Sequence, residues 1–497
     1  MVAIPKVCGI ETEYGIVVRG VPDASPIVSS SLLVNAFLGQ YIDKVAWDFV
    51  DETPGVDARG HRAYDAMPPD VESHLANAVL TNGARFYVDH AHPEISTPEC
   101  RDVMEAVLFD RAGEEIMRRA MAAANAALPH GEVVVYKNNS DGKGNSYGCH
   151  ENYLLARDLP FGRLVSQITP HFVTRQLFCG AGKVGCESPG VSSKRVPYQL
   201  SQRADFFEEE VGLETTVKRP IVNTRDEPHC DSQKYRRLHV IVGDANMAEV
   251  STFLKLGTTS IILAMIEDDA LGNDLALADP VSDIRSVSFD PTLRALVVLH
   301  DRRKMTGMEM QWELLRRARA YHESHGLESL GDESIGKLVL ERWEEALEGL
   351  DSTDRSVVSH MIDWVAKERV LLAFQERHDC RWDDARMRVL DLQYHDVRPD
   401  RSVSARAGLE RLSIDSDVDR AVTFPPLTTR AYFRGRCLEK YRDDIVTANW
   451  DSLVFDTGHH TLRRVPMMEP LRGTEAHVGR LIDESDTANE LLRKLGA

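Results

Sequence analysis

The chain has 497 residues, 43% hydrophobic, 28% charged and 7% aromatic, with a formal charge of −19. That length suits one large core plus a smaller one, and a composition without biased or repetitive tracts excludes a fibrous or wholly disordered protein. The negative excess repels phosphate backbones and anionic lipid, so nucleic acid and membranes are not expected partners, although a locally basic groove would still accept an acidic protein.

The opening MVAIPKVCGIETEYG has no basic segment followed by a long apolar run, and no apolar stretch of about 18 residues is expected to span a bilayer. The eight cysteines are scattered without a C-x-x-C pair, which reads as reduced, buried thiols in a cytoplasmic protein and not as a zinc site. The first strand expected is Lys6–Val17. Alternation there puts Glu11 and Glu13 on one face, where a hard cation such as magnesium would relieve their repulsion. An isolated E-x-E is more often a solvated face, so this pair is weak by itself. Val45–Pro69 mixes acids, Gly and Pro and reads as a long mobile loop, either a lid or a plain surface excursion. A helix containing Asp70–Leu80 is expected to follow.

Arg85–Asp89 is the next strand, with Arg85, Tyr87 and Asp89 on one face and Phe86 and Val88 toward the core. His90–Glu94 is expected to end it, and Thr97 follows. Arginine bridges phosphate oxygens, Glu94 can ligate metal, and Asp89 can act as base or nucleophile. The bland alternative is an Arg–Asp pair with capping groups; the convergence of five suitable groups weighs against it. Further strands are Glu132–Lys137, His150–Leu155 and Arg236–Gly243, which place His150 beside Asn152 and His239 beside Arg237. Two strand histidines with the E-x-E strand would make a mixed carboxylate–imidazole site. The polar run Asn223–His229 delivers Arg225 to a substrate or phosphate, or is an ordinary capping loop. Apolar spacing of three and four predicts helices over Ala248–Met265, Met308–His322, Ile335–Leu350 and Ser356–Glu376. Strands first and helices later indicate an α+β fold. Pro425-Pro426 marks a boundary between a catalytic unit, 1–426, and a small C-terminal unit, 427–497.

Two motifs are set aside. Gly180–Gly185 fits G-x-G-x-x-G but lacks a surrounding βαβ unit. His90-x-His92 has the spacing of zinc amidohydrolase ligands, yet its neighbours are carboxylate, phenol and arginine, which favour magnesium and phosphate; that reading stays as a minor alternative.

The blocks GIETEYG, ARFYVDHAHPEISTPE, GCHENY, NTRDEPH and RRLHVIVGDAN, in this order, resemble the bacterial Pup ligase/deamidase family over nearly the whole chain. The resemblance implies a glutamine-synthetase-like fold: a curved, mostly antiparallel sheet packed with helices, plus a small C-terminal domain. It implies ATP and Mg2+ as cofactors, and as partners the acidic, disordered protein Pup and pupylated proteins. By position it assigns Glu11, Tyr87 and Glu94 to metal, Arg85 and Thr97 to nucleotide, and Asp89 to catalysis. Glu13, His150 and His239 are added as metal candidates, and Arg225, Arg237, Arg434 and Trp450 as nucleotide or substrate contacts. The short Asp89-to-Glu94 spacing, with Trp47-Asp48 and Asp57-Ala58-Arg59-Gly60 in Val45–Pro69, resembles the hydrolysing branch, which deamidates Pup's C-terminal Gln and cleaves Pup–lysine isopeptides. The ligase branch, which forms that bond at the expense of ATP, lacks the insertion. Arg430–Lys440 and Lys194–Arg203 mix basic and apolar residues and are candidate grooves for Pup.

Overall fold

A computed structural model describes residues 3–41, 45–50, 52–60, 76–458 and 461–496. Its centre is a six-stranded sheet of β1 (Cys8–Glu13), β2 (Asn77–Val79), β3 (Arg85–Asp89), β4 (His92–Ser96), β5 (Cys149–Ala156) and β6 (Tyr235–Val240), in the order β6-β5-β1-β4-β3-β2. Every neighbouring pair in this sheet is antiparallel. Alternation divides each strand. Ile10, Phe86, Val88, Ile95, Tyr153, Leu238 and Val240 are buried in one continuous core, and each such side chain contributes on the order of 1.5–3 kcal/mol. Against that side pack α1 (Pro26–Tyr41), α2 (Val103–Ala127) and α3 (Glu249–Glu267). The odd-numbered residues of β1 and β3 and the even-numbered ones of β4 and β5 line the opposite face.

Several expectations are corrected. His90–Glu94 does not end the pairing: His90 adopts φ +53° in a two-residue turn, and the chain returns as β4 with Val88 opposite Pro93. Proline is tolerated because the β1 ladder ends at the pair Glu13–Glu94, where the missing donor falls. Asn77–Val79 is an edge strand and not helix, since three buried residues pair with β3; residues 70–75 lie outside those described. Helices also occur early, because α1 and α2 are needed to cover the sheet. In α2, Asp102 caps the N-terminus by accepting from Glu105 N at 2.9 Å. The helix expected over Ser356–Glu376 is broken into a short 3-10 turn, Arg355–Val358, and a helix, Asp363–His378. α3 is long and apolar enough to cross a membrane, contrary to the sequence reading, but every residue of it is buried within the protein, as suits a core helix.

A second apolar cluster gathers Tyr432, Phe433, Leu453 and Leu491 with Val45 and Trp47. Its four-stranded sheet takes Ile445–Ala448, Ser452–Phe455 and Arg463–Pro466 from the end of the chain, and Ala46–Trp47 joins parallel to Ile445–Ala448. The segment expected as a mobile loop is therefore anchored over its described parts. Asp48 pairs with Arg464, and the backbones of Val56, Asp57 and Ala58 bond to Asp226, Arg225 and Thr224. Residues 51 and 61–69 of that expected loop lie outside those described. The glycines of Gly180–Gly185 serve close packing: a Cβ on Gly180 would lie 2.4 Å from Leu200 O, and Lys183 is paired with Asp205.

Candidate active site

The helix-free face of the sheet floors a cleft of about 310 Å³, walled by Phe49, Glu52 and Pro54, by Arg225, Glu227 and His229, and by Trp450. Strand register brings the predicted groups together. Glu11 lies opposite Ser96 on one side and His150 on the other, Glu94 lies opposite both Glu13 and Tyr87, and His239 lies opposite Asn152. Two donor clusters result among the described residues, each with ligand atoms within 4.8 Å of one another: Glu11, His150 and His239, and Glu13, Asp89 and His90.

In the first cluster Glu11 accepts from Asn152 Nδ2 at 2.8 Å, with His150 Nδ1 at 3.4 Å and Arg237 Nη1 at 3.6 Å. Burial alone would raise its carboxyl, but His150 and the neighbouring positive charge hold it well below the usual carboxylate range. Burial lowers His239 well below the usual imidazole value, and Arg237 adds to this. His150 can lie against the backbone because residue 148 is Gly; a Cβ there would be 2.3 Å from the His150 Nε2.

In the second cluster Glu13 accepts from Gly148 N, and Asp89 Oδ2 pairs with His90 Nδ1 at 2.9 Å. Burial favours protonation of Asp89, yet the His90 contact outweighs it and keeps the carboxyl below its usual value. Glu94 lies between the clusters. Burial and the surrounding Asp89, Glu13 and Glu11 raise it well above the usual range, and its Oε2 is buried with no hydrogen-bond partner among the described residues. Tyr87 contacts Ser96 Oγ at 3.2 Å. Burial, with Glu94 beside it, raises its phenol.

The predicted cation contacts divide. Arg85 is sandwiched between the rings of Trp47 (3.9 Å) and Tyr87 (4.0 Å) and held by Asn77 Oδ1 at 3.0 Å. Arg225 lines the cleft, its guanidinium without a hydrogen-bond or ion-pair partner among the described residues. Arg237 donates to Asn152 Oδ1 at 2.7 Å and to Glu227 O at 2.7 Å. Thr97 turns away from the polar cleft: its Oγ1 accepts from Ile10 N at 3.0 Å and it lines a smaller adjoining cavity of about 90 Å³ with Trp450, Pro228 and Pro470. Arg434 is not in the cleft. It is fully buried, with its donors taken by Gly83 O, Glu99 and Trp450 O, so it braces Trp450 from behind. Nor is Arg430–Lys440 a basic groove, since Arg430 pairs with Glu99, Arg436 with Glu439 and Lys440 with Ile482 O. His90 and His92 do not share a donor cluster among the described residues, because the His92 ring stacks on Tyr147 at 4.3 Å.

Sequence reasoning missed Arg203 as an individual residue. Its side chain is buried, 1% exposed overall, and makes no hydrogen bond or ion pair among the described residues. Burial, with Arg219 nearby, brings it down to about 10, while Glu13 and Asp244 draw it the other way. An unsatisfied buried guanidinium is costly without an anion. Only its place in the basic run Lys194–Arg203 hinted at it, and spacing says nothing of burial.

Paired carboxylates, imidazoles and the Arg225 guanidinium, which has no hydrogen-bond partner among the described residues, share one face of an antiparallel sheet, an arrangement in keeping with the glutamine-synthetase-like enzyme that the resemblance implies. The chain belongs to the Pup-ligase protein family, whose profile matches residues 6–454. It is 51% identical over 504 residues to a depupylase of Acidothermus cellulolyticus, covering 99% of each chain. It is 46% identical over 503 residues to a Pup deamidase/depupylase of Mycolicibacterium smegmatis, again covering 99% of each. Among solved structures it is similar to the Pup ligase PafA in complex with ADP, with TM-score 0.75 and 37% identity over 83% of this chain and 90% of that one.

Proposed function

We propose that this chain is a nucleotide- and magnesium-dependent amidohydrolase of the cytoplasm that deamidates the C-terminal Gln of Pup and cleaves Pup–lysine isopeptide bonds. The observation that carries the reading is Asp89, a carboxylate kept ionised at the cleft floor, whose Oδ1 has no hydrogen bond among the described residues. The hydrolysing branch is supported by the full-length similarity to a depupylase and a deamidase/depupylase. The Trp47-containing insertion, here built into the cleft wall, supports it as well.

The donor set fits a hard cation with some imidazole: Glu11, His150 and His239 on one side, Glu13 and Glu94 on the other, with Tyr87 alongside. The orphaned Glu94 Oε2 and His239 Nε2 are buried atoms that a metal would satisfy. Arg85, Arg225 and Arg237 fit nucleotide phosphates, and the apolar cavity beside Trp450 and Thr97 fits a base or ribose. When bound, magnesium and the nucleotide supply charge that polarises oxygen in the cleft. Asp89 either attacks the side-chain carbonyl carbon or takes a proton from water that does so. In both routes a new C–O bond forms, the C–N bond breaks, and the departing nitrogen takes a proton, leaving as ammonia from Gln or as free lysine from a conjugate. Water supplies the oxygen and hydrogens, so one site serves both substrates. Arg203, with Arg219 near it, places buried positive charge near Glu13.

The test is to incubate the chain with magnesium, ATP and either Gln-ended Pup or a Pup–lysine conjugate. Ammonia and free target protein are expected, and chelation with EDTA should stop both. Conjugation of Glu-ended Pup with stoichiometric ADP would move the chain to the ligase branch.

A further inference from the structure

We propose that Asn152 is the positioning residue that sets the tautomer of His239, leaving the imidazole's second nitrogen, Nε2, as a bare lone pair. The proposal rests on the metal reading of the site.

Asn152 sits in β5 opposite both Gly9 of β1 and His239 of β6. Its Nδ2 donates to Glu11 Oε1 at 2.8 Å, and its Oδ1 accepts from Arg237 Nη1 at 2.7 Å. An ionised carboxylate only accepts and a guanidinium only donates, so the amide has a single orientation. Its Oδ1 then lies 3.0 Å from His239 Nδ1. Two lone pairs at that distance would repel, so Nδ1 carries the hydrogen and donates. Arg237 Nη1 is also 3.5 Å from Nδ1, but it is already directed at Asn152 Oδ1 over a shorter distance and does not reverse the assignment. A neutral imidazole carries one hydrogen, so Nε2 is left as an acceptor. That atom is buried and has no hydrogen-bond partner among the described residues, in a residue that clusters with Glu11 and His150. A second hydrogen on Nε2 would be a buried donor without a hydrogen-bond acceptor among the described residues.

Asn152 thus ties three strands. It fixes which Glu11 oxygen is occupied, holds the Arg237 fork, and aims the lone pair of His239. Partners of this kind, acting on ligands from behind, alter metal affinity by about 10–100-fold.

Two readouts test the assignment. In the metal-free chain labelled with 15N-histidine, long-range 15N–1H correlation reports the tautomer, with His239 identified by the signal lost in His239→Gln. Wild type is expected in the Nδ1–H form, and so is Asn152→Asp, which keeps the acceptor; Asn152→Leu is expected to lose it. In parallel, Mn2+ binding followed by electron paramagnetic resonance should weaken about 10–100-fold in Asn152→Leu. Circular dichroism checks folding, and Asn152→Ala replaces Asn152→Leu if the larger apolar side chain is not accommodated. An Nε2–H form in wild type, or an unchanged tautomer and Mn2+ affinity in Asn152→Leu, overturns the proposal. Failure of wild type to bind Mn2+ would instead strike the metal reading, while the tautomer in the metal-free chain still decides the role of Asn152.

Discussion

Glu99 holds the C-terminal sheet and Trp450 against the central sheet, and replacing it with Gln should show how strongly. Its carboxylate pairs with Arg430 at 2.6 Å and also with Arg434, whose side chain is fully buried. Burial alone would raise the Glu99 carboxyl, but Arg434 and Arg430 bring it from 4.5 to about 2. At about 1.36 kcal/mol per tenfold change in proton affinity, that gap is about 3 kcal/mol of folding stability. Removing one partner of a buried pair costs about 3–5 kcal/mol, so the two routes agree. The sign follows from a depressed folded value: the contribution is complete above 4.5 and is lost as pH falls toward about 2. Denaturant titrations of wild type and Glu99→Gln should therefore differ by about 3 kcal/mol at pH 7, with the difference shrinking by pH 2.5 as wild type loses its own ion pair. Because Arg434 carries Trp450 through its carbonyl oxygen, nucleotide affinity should fall in step. A deficit of equal size at both pH values, or none at pH 7, would refute the clamp.

Asp89→Asn should lower turnover by about 10²–10⁴-fold while leaving nucleotide binding by calorimetry in place, and normal turnover would remove Asp89 from the chemistry. Trp47→Ala strips one ring from the Arg85 sandwich; a contact of about 1–2 kcal/mol predicts nucleotide binding weaker by about 5–30-fold, and an unchanged Kd would separate Trp47 from the site. Glu105, near the start of α2, is raised by burial to about 7. Its folded value lies above the unfolded one, so stability should decline by about 3 kcal/mol as pH rises from 4.5 to 7. Glu105→Gln should flatten that slope in melting experiments, and a persistent slope would assign it to other groups.

The part of the site that alternation alone dictates was legible from sequence. Arg85, Tyr87 and Asp89 share a face, as do Glu11 and Glu13, because strand side chains have a period of two whatever the strand pairs with. His150 and His239 followed by the same logic. What was not legible depends on partners distant in sequence. Pro93 looked like a strand breaker until the end of β1 was seen to fall where its donor is missing. Arg434 read as a ligand contact because charge in a sequence does not reveal that Glu99, more than three hundred residues earlier, consumes it. Arg203 gave no individual signal, since an arginine's lack of partners is a property of the assembled fold. α1 and α2 were passed over because the strand-rich motifs around them drew the pattern toward β structure, although the sheet needed a cover on its apolar face.

The two-residue strand Ala46–Trp47 has a consequence for how this enzyme comes into being. It pairs with Ile445–Ala448, so the wall beside Arg85 cannot form until those residues have been made. A nascent or prematurely ended polypeptide can carry Asp89 and both donor clusters and still lack the backing for Arg85 and the Trp450 side of the cleft. The backing of Arg85 therefore depends on a strand pair whose two members lie far apart in sequence.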